Sequence, residues 1–302
     1  MADEMGVIWS APVRPPIRRV CVLVLIALGQ DWGQIHADEA ADLPELFPGQ
    51  GITRCDVTER PATATDVSLA KRTPVLAEPG NWLDVPGPHG ERAEGWQGRQ
   101  PGYRIFDGRG RLLHSVPHVS MPRWSPDGRW LAVSRWSSRE RPYELGLVKV
   151  STGEVISIPN VEYLDACAWS PDSRKLSFIG RSGDSLAAGW LSVPDTAVHV
   201  VARGLNFAFE CLEMAWSADS RHFVAILHRE YEHDDVRVTD LWLFGLKPGV
   251  CRLTATPTVE ESNVGWLDSR HVIFSVDPTE DEPGSVGSRT VLGLPRLGGS
   301  TH

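Results

Sequence analysis

The residues of this chain best equipped for chemistry lie between His228 and Asp240, in the segment HREYEHDDVRVTD. Five carboxylates, Glu230, Glu232, Asp234, Asp235 and Asp240, fall within 11 residues, beside Tyr231 and His233. That density favours a hard cation such as calcium, which takes several oxygen ligands, or a basic partner. Tyr231 adds apolar surface, and His233 adds a group that titrates near neutrality. Charged loops are also ordinary solvated features, and composition alone favours that plainer reading. Glu230, Tyr231, Glu232, His233, Asp234 and Asp235 are the candidate binding residues. No catalytic or metal-ligating residue is assigned and no cofactor is expected, with calcium at this loop the one ion left open.

Other constellations carry less. No GxSxG elbow, HExxH, P-loop or Rossmann glycine fingerprint is present. The segment GRSGDS at 180–185 puts a serine near glycines, but with the wrong spacing for a nucleophile elbow. Glu213, Glu261, Asn263 and Asp165 precede or begin strands and could supply oxygen ligands to a metal site. Asp127, Asp172 and Asp219 resemble a carboxylate set, but they recur at one turn position, which points to a structural role.

That recurrence is the main signal. RWSPDGRWLAVS from Arg123, AWSPDSRKLSFI from Ala168, AWSADSRHFVAI from Ala215 and GWLDSRHVIFSV from Gly265 superimpose. Their tryptophans, Trp124, Trp169, Trp216 and Trp266, are 45, 47 and 50 residues apart, a period that marks a repeat architecture. Each copy reads as strand, tight turn, strand. Ser125-Pro126-Asp127-Gly128 suits a type I turn, in which proline presets φ and glycine closes the fourth position. A basic residue follows (Arg129, Arg174, Arg221, Arg270), then an apolar run suited to a strand buried on both faces. The recurring tryptophans read as packing residues between neighbouring units.

A second strand–turn–strand unit alternates with the first. It begins at Tyr103, Glu144, Gly189, Asp240 and Arg289. Two hairpins per period give four antiparallel strands, which is one propeller blade. The expected fold is therefore all-β: a β-propeller of four-stranded antiparallel blades, four of them clear and one partial, five or six in total. The inner half of the partial blade is sought around Asn81–Val85, where Trp82-Leu83-Asp84 echoes Trp266-Leu267-Asp268. Residues 86–102 read as loop.

The pattern W-S-P-D-G/S-R followed by an apolar strand resembles the WD-like repeats of the TolB family of propellers, over residues 101–302. The resemblance implies the fold more than the function, because such repeats occur in scaffold proteins, in peptidase propellers and in exported proteins of many kinds. TolB carries an α/β domain before its propeller, which the Pro- and Gly-rich residues 38–100 do not match. The chain is similar to that family without reading as TolB itself.

The N-terminus reads as an export signal over residues 1–37. Arg14, Arg18 and Arg19 precede the apolar run VCVLVLIAL at 20–28, which is too short to span a bilayer, and cleavage fits after Ala37. Residues 38–100 then form an N-terminal segment of propeller-closing strands and loop, before the propeller at 101–302. No transmembrane segment is expected after cleavage. The net charge of −9 opposes nucleic acid as a partner. Cys55, Cys167, Cys211 and Cys251 have wide spacing that disfavours zinc, and both buried thiols and any pairing stay open. The function expected is that of a non-enzymatic periplasmic or secreted binding or scaffold protein, with a protein partner in the cell envelope. The rival is a metal-dependent, lactonase-like or other hydrolase with its site at the propeller channel mouth.

Overall fold

The computed structural model describes residues 52–54, 57–69, 84–96, 100–136, 143–162, 167–182, 185–205, 209–229, 238–245, 250–254, 259–278 and 288–294. All of them belong to one compact unit, Leu43–His302. Two short strands come first, β1 (Ile52–Arg54) and β2 (Thr58–Pro61), then the helix α1 (Ala64–Leu69). Blade 1 follows, with β3 (Asp84–Pro86), β4 (Arg92–Trp96), β5 (Gly102–Phe106) and β6 (Leu112–Pro117). Blade 2 holds β7 (Val119–Trp124), β8 (Trp130–Arg135), β9 (Glu144–Lys149) and β10 (Val155–Glu162). Blade 3 holds β11 (Cys167–Trp169), β12 (Lys175–Ser182), β13 (Ser185–Ser192) and β14 (Val198–Leu205). Blade 4 holds β15 (Phe209–Trp216), β16 (His222–Arg229), β17 (Val238–Gly245) and β18 (Val250–Arg252). Blade 5 begins with β19 (Val259–Trp266), β20 (His271–Pro278) and β21 (Ser288–Gly293). The blades pair antiparallel in chain order, as the two-hairpin repeat requires. Among the described residues the blades number five.

One feature departs from the sequence expectation, and a second gives a propeller-closing strand its place. Residues 92–96, read as part of a loop, form β4, which pairs with both β3 and β5. The fourth strand of blade 5 is β2, not a strand following β21: Thr58 faces Gly293 and Pro61 faces Thr290. The segment before it also attaches, since β1 runs parallel to β18 with Thr53 opposite Cys251. Strands β1 and β2 thus lie along the outer edges of blades 4 and 5. Its strand TERP is fully exposed and polar, so no alternation could announce it.

Packing lies between the blades. Strand side chains alternate, so each strand serves two neighbours. Phe223, Ala225 and Leu227 of β16 pack with blade 3 residues such as Ile179 and Val201. Val224 and Ile226 of the same strand pack with Val272, Phe274 and Leu292 of blade 5. Blades 2 and 3 share a cluster around Leu147, Ile158 and Phe178, and blades 1 and 2 another around Ile105 and Leu131. Each fully buried large apolar side chain is worth about 1.5–3 kcal/mol, so these clusters outweigh any single hydrogen bond.

The tryptophans fix how the blades meet. Trp124 Nε1 donates to Val85 O in blade 1 at 3.1 Å, and Trp169 Nε1 to Arg123 O in blade 2 at 2.9 Å. Trp216 Nε1 donates to Ala168 O at 2.9 Å, and Trp266 Nε1 to Ala215 O at 3.0 Å. Every acceptor is the residue just before the equivalent position of the preceding blade. In blade 1 that position is Pro86, which pairs with Arg92 as Trp124 pairs with Leu131. The echo at Trp82 therefore marked the wrong residue, and Trp82 itself lies outside the described residues.

Two outcomes follow. Trp216→Phe keeps an apolar ring but leaves Ala168 O and the Ser177 hydroxyl without their indole donor. It should destabilise the protein by about 1–3 kcal/mol, read as a lower denaturant midpoint. The same change at Trp136, which is 52% exposed, should leave the midpoint unchanged. Cys251 is disulfide-bonded, whereas Cys167 and Cys211 are buried and outside any disulfide. Because Cys55 directly follows β1 in sequence, a non-reducing peptide map should recover a Cys55–Cys251 cross-link, and reduction should lower Tm.

Candidate functional site

Each repeat turn is a closed hydrogen-bonded unit. Gly128 N–H donates to Ser125 O, Ser173 N–H to Ser170 O and Ser220 N–H to Ser217 O, all at 2.9 Å. The closing residue is left-handed each time, with φ of 69° at Gly128, 58° at Ser173 and 57° at Ser220. Glycine takes that conformation freely, and serine at a cost. The buried Ser125 hydroxyl donates to Asp127 Oδ1 at 2.7 Å and accepts the Trp130 N–H at 3.0 Å. Ser170 with Asp172 and Ser217 with Asp219 repeat the bond at 2.6 and 2.7 Å. Asp127, Asp172 and Asp219 each also accept the N–H of the following arginine. Blade 5 has a shorter turn, in which Asp268 Oδ1 accepts from Arg270 N and His271 N. These aspartates are turn residues.

The polar residues of the inner strands are likewise engaged between blades. Glu213 Oε2 accepts the Val264 N–H at 2.9 Å, joining blades 4 and 5. Glu261 is 1% exposed, and its N–H donates to the Thr239 hydroxyl. Asn263 is exposed and donates to Ser262 Oγ at 3.0 Å. Asp165 lies outside the described residues. The segment GRSGDS spans the β12–β13 hairpin, where Ser182 pairs with Ser185. Among the described residues no three His, Cys, Asp or Glu side chains gather to hold a metal.

The candidate binding residues Glu230, Tyr231, Glu232, His233, Asp234 and Asp235 connect β16 to β17 and lie outside the described residues. The ends of that connection are described, and they change its charge. Asp240 is a residue of β17, paired across the ladder with Leu227. Its Oδ2 accepts from Arg252 Nη2 at 2.6 Å, in a pair whose side chains are 13% and 18% exposed. Arg252 Nε further donates to Thr254 O at 2.9 Å. Asp240 is therefore spent within blade 4, and four carboxylates remain to the connection. His228 is also buried in the sheet.

A concavity among the described residues lies elsewhere, among the turns of blades 2 and 3. A cleft of about 750 Å³ is bounded by the turn residues Asp127, Arg129, Asp172 and Arg174, with Lys149 at the end of β9 and Pro194 after β13. Asp127 N–H donates to Ser173 Oγ at 3.0 Å, tying the two turns together beside it. The arginine backbones are structural: Arg129 O accepts the Val150 N–H at 3.0 Å and Arg174 O the Val193 N–H at 2.8 Å. Their side chains are not needed for that bond and stand in solvent. Arg129 is 81% exposed, with its Nε 3.8 Å from Asp127 Oδ2. The sequence displays the recurring arginine, but not that cations of separate blades converge on one cleft.

The comparisons fit this geometry. The β-propeller domain of the trilobed protease from Pyrococcus furiosus, described as having an open velcro topology, superposes with a TM-score of 0.52. It is 15% identical over 70% of this chain and 68% of that one. This chain is a β-propeller. TolB from Acinetobacter baumannii superposes at 0.42, 16% identical over 71% of this chain and 54% of that one. An acylaminoacyl peptidase from Pyrococcus horikoshii gives 0.48 at 15% identity, over 70% and 38%. This propeller thus spans about half the length of that TolB. Its structural neighbours are TolB-like and other propellers, all at low identity, and it is not TolB itself. No family model matches the chain, and no curated protein matches it.

The turns predict a pH dependence. Burial pushes the Asp172 carboxyl up, but the Ser170 hydroxyl, the Arg174 N–H and Lys175 outweigh it and hold it below the usual carboxylate range. Asp268 is lowered in the same way, by Arg270 N–H and His271 against burial. A carboxylate with a depressed folded pKa stabilises fully above its ordinary value, about 3.9, and loses that stabilisation as pH falls through the lower folded value. Tm should therefore be flat with respect to these groups above about pH 5 and fall below about pH 4. Asp172→Asn should lower Tm at pH 7 and flatten the acid limb.

Proposed function

We propose that this β-propeller is a non-enzymatic binding or scaffold protein, exported to the periplasm or beyond, that docks a protein partner in the cell envelope. The observation that carries the reading is the cleft between the turns of blades 2 and 3. Among the described residues its Arg174 and Lys149 side chains have no ion pair and Arg129 has only a long one to Asp127, while its two aspartates are engaged in the turns. Such a surface supports binding, and the serine hydroxyls paired with its aspartates are buried in the turns. The disulfide at Cys251 supports an oxidising compartment. The hydrolase reading needs oxygen ligands from several blades to meet at the channel mouth, and Glu213 is instead held in a bond between blades 4 and 5.

The test is site-specific photo-crosslinking in the native host. A photoreactive residue replacing Ser151, on the cleft wall, should give discrete protein adducts in the envelope fraction. The same group at Leu69, 62% exposed on α1, should give none. An unprocessed N-terminus with the protein in the cytosol would contradict export. Metal-dependent turnover of esters or lactones by the purified protein would favour the hydrolase.

A further inference from the structure

The charge of the cleft indicates what it binds. Arg129 and Arg174 occupy the same repeat position in adjacent blades, and Lys149 lies beside them at the end of β9. Two carboxylates line the same cleft, but they face their own turns. Asp127 Oδ1 accepts from Ser125 Oγ and Arg129 N, and Asp172 Oδ1 from Ser170 Oγ and Arg174 N. Asp172 Oδ2 lies 3.6 Å from Lys175 Nζ, in an ion pair within the same turn. Among the described residues no ion pair occupies Lys149 or Arg174, and the one at Arg129 is long. The lining therefore carries three cations against two carboxylates, a local excess of positive charge on a chain whose net charge is −9.

The walls are apolar beneath those charged groups. Trp130 and Leu113 are half-buried, Val150 and Val193 are buried, and Pro194 is exposed. The volume of about 750 Å³ falls in the range that encloses a small ligand or a few residues of extended chain. Guanidinium groups grip carboxylates through paired, charge-assisted hydrogen bonds, while the apolar wall accepts intervening side chains.

We propose that this cleft binds an acidic, extended peptide segment of a partner protein, with Arg129, Arg174 and Lys149 holding its carboxylates and the Trp130–Pro194 wall taking its apolar residues. The proposal rests on the binding-protein reading and names the partner chemistry for that site. A nucleic acid would meet the same cations, but the acidic body of the chain would repel its phosphates beyond the cleft.

The experiment uses the full processed chain and a short fluorescein-labelled peptide of alternating glutamate and leucine, read by anisotropy. Binding should weaken as ionic strength rises, and the glutamine counterpart should bind far less. The double variant R129Q/R174Q should weaken the peptide by roughly tenfold or more at unchanged Tm. Arg221→Gln, an exposed arginine of the same repeat position outside the cleft, should leave binding unchanged. The proposal is overturned if the peptide does not bind, or if Arg221→Gln weakens it as much as the double variant. It is also overturned if a single-stranded oligonucleotide or phosphatidylglycerol vesicles bind more tightly than the peptide through the same arginines. If the peptide fails while crosslinking from Ser151 still captures an envelope protein, the partner chemistry is wrong and the binding reading stands.

Discussion

The indole N–H that each of blades 2 to 5 sends to the innermost strand of the blade before it is the constraint on which the rest of this structure depends. Apolar burial between blades supplies more free energy, but it is non-directional and would tolerate sliding of one sheet over the next. A single donor aimed at a single carbonyl does not. Trp169 to Arg123 O, Trp216 to Ala168 O and Trp266 to Ala215 O set the same offset three times, and Trp124 to Val85 O sets it for the first pair. Because the offset repeats, the turn after each tryptophan falls at the same level on one face. That is how Asp127 N–H comes to meet Ser173 Oγ across two blades, and how Arg129 and Arg174 come to border one cleft.

The fold was legible where a side chain's type is itself the structural device. Tryptophan at one position, Ser-x-Asp in one turn and apolar runs on strands covered on both faces can all be read directly. The hidden elements lack such devices. Blade 1 has Pro86 where the others have tryptophan, and Gly90 (φ 91°) in a shortened turn, so it shows neither mark of the repeat. Strand β2 is short, polar and exposed, and it acquires its partner from the far end of the chain. Only long-range pairing makes it a strand, and no local pattern encodes that.

The candidate site was legible in part for the same reason. The acidic segment stands out by composition, but composition cannot tell a loop carboxylate from one in a strand. Asp240 belongs to β17 and is neutralised by Arg252. The aspartates of the repeat could be assigned to turns because recurrence implies structure. The recurring arginines obey the same logic only for their backbones. The carbonyls of Arg129, Arg174 and Arg270 are part of the frame; the side chains of Arg129 and Arg174 are exposed, whereas Arg270 Nη2 donates to Leu294 O. A repeated residue can thus be structural in its main chain while its side chain stays exposed in one blade and is engaged in another.

Hydrogen exchange of the tryptophan indoles tests the account at its root. The account predicts that the indole N–H groups of Trp169, Trp216 and Trp266, each less than 7% exposed, exchange only with global unfolding, at closely similar free energies, while Trp136 exchanges freely. Rapid exchange of those three under conditions where the backbone amides of their strands stay protected would contradict it.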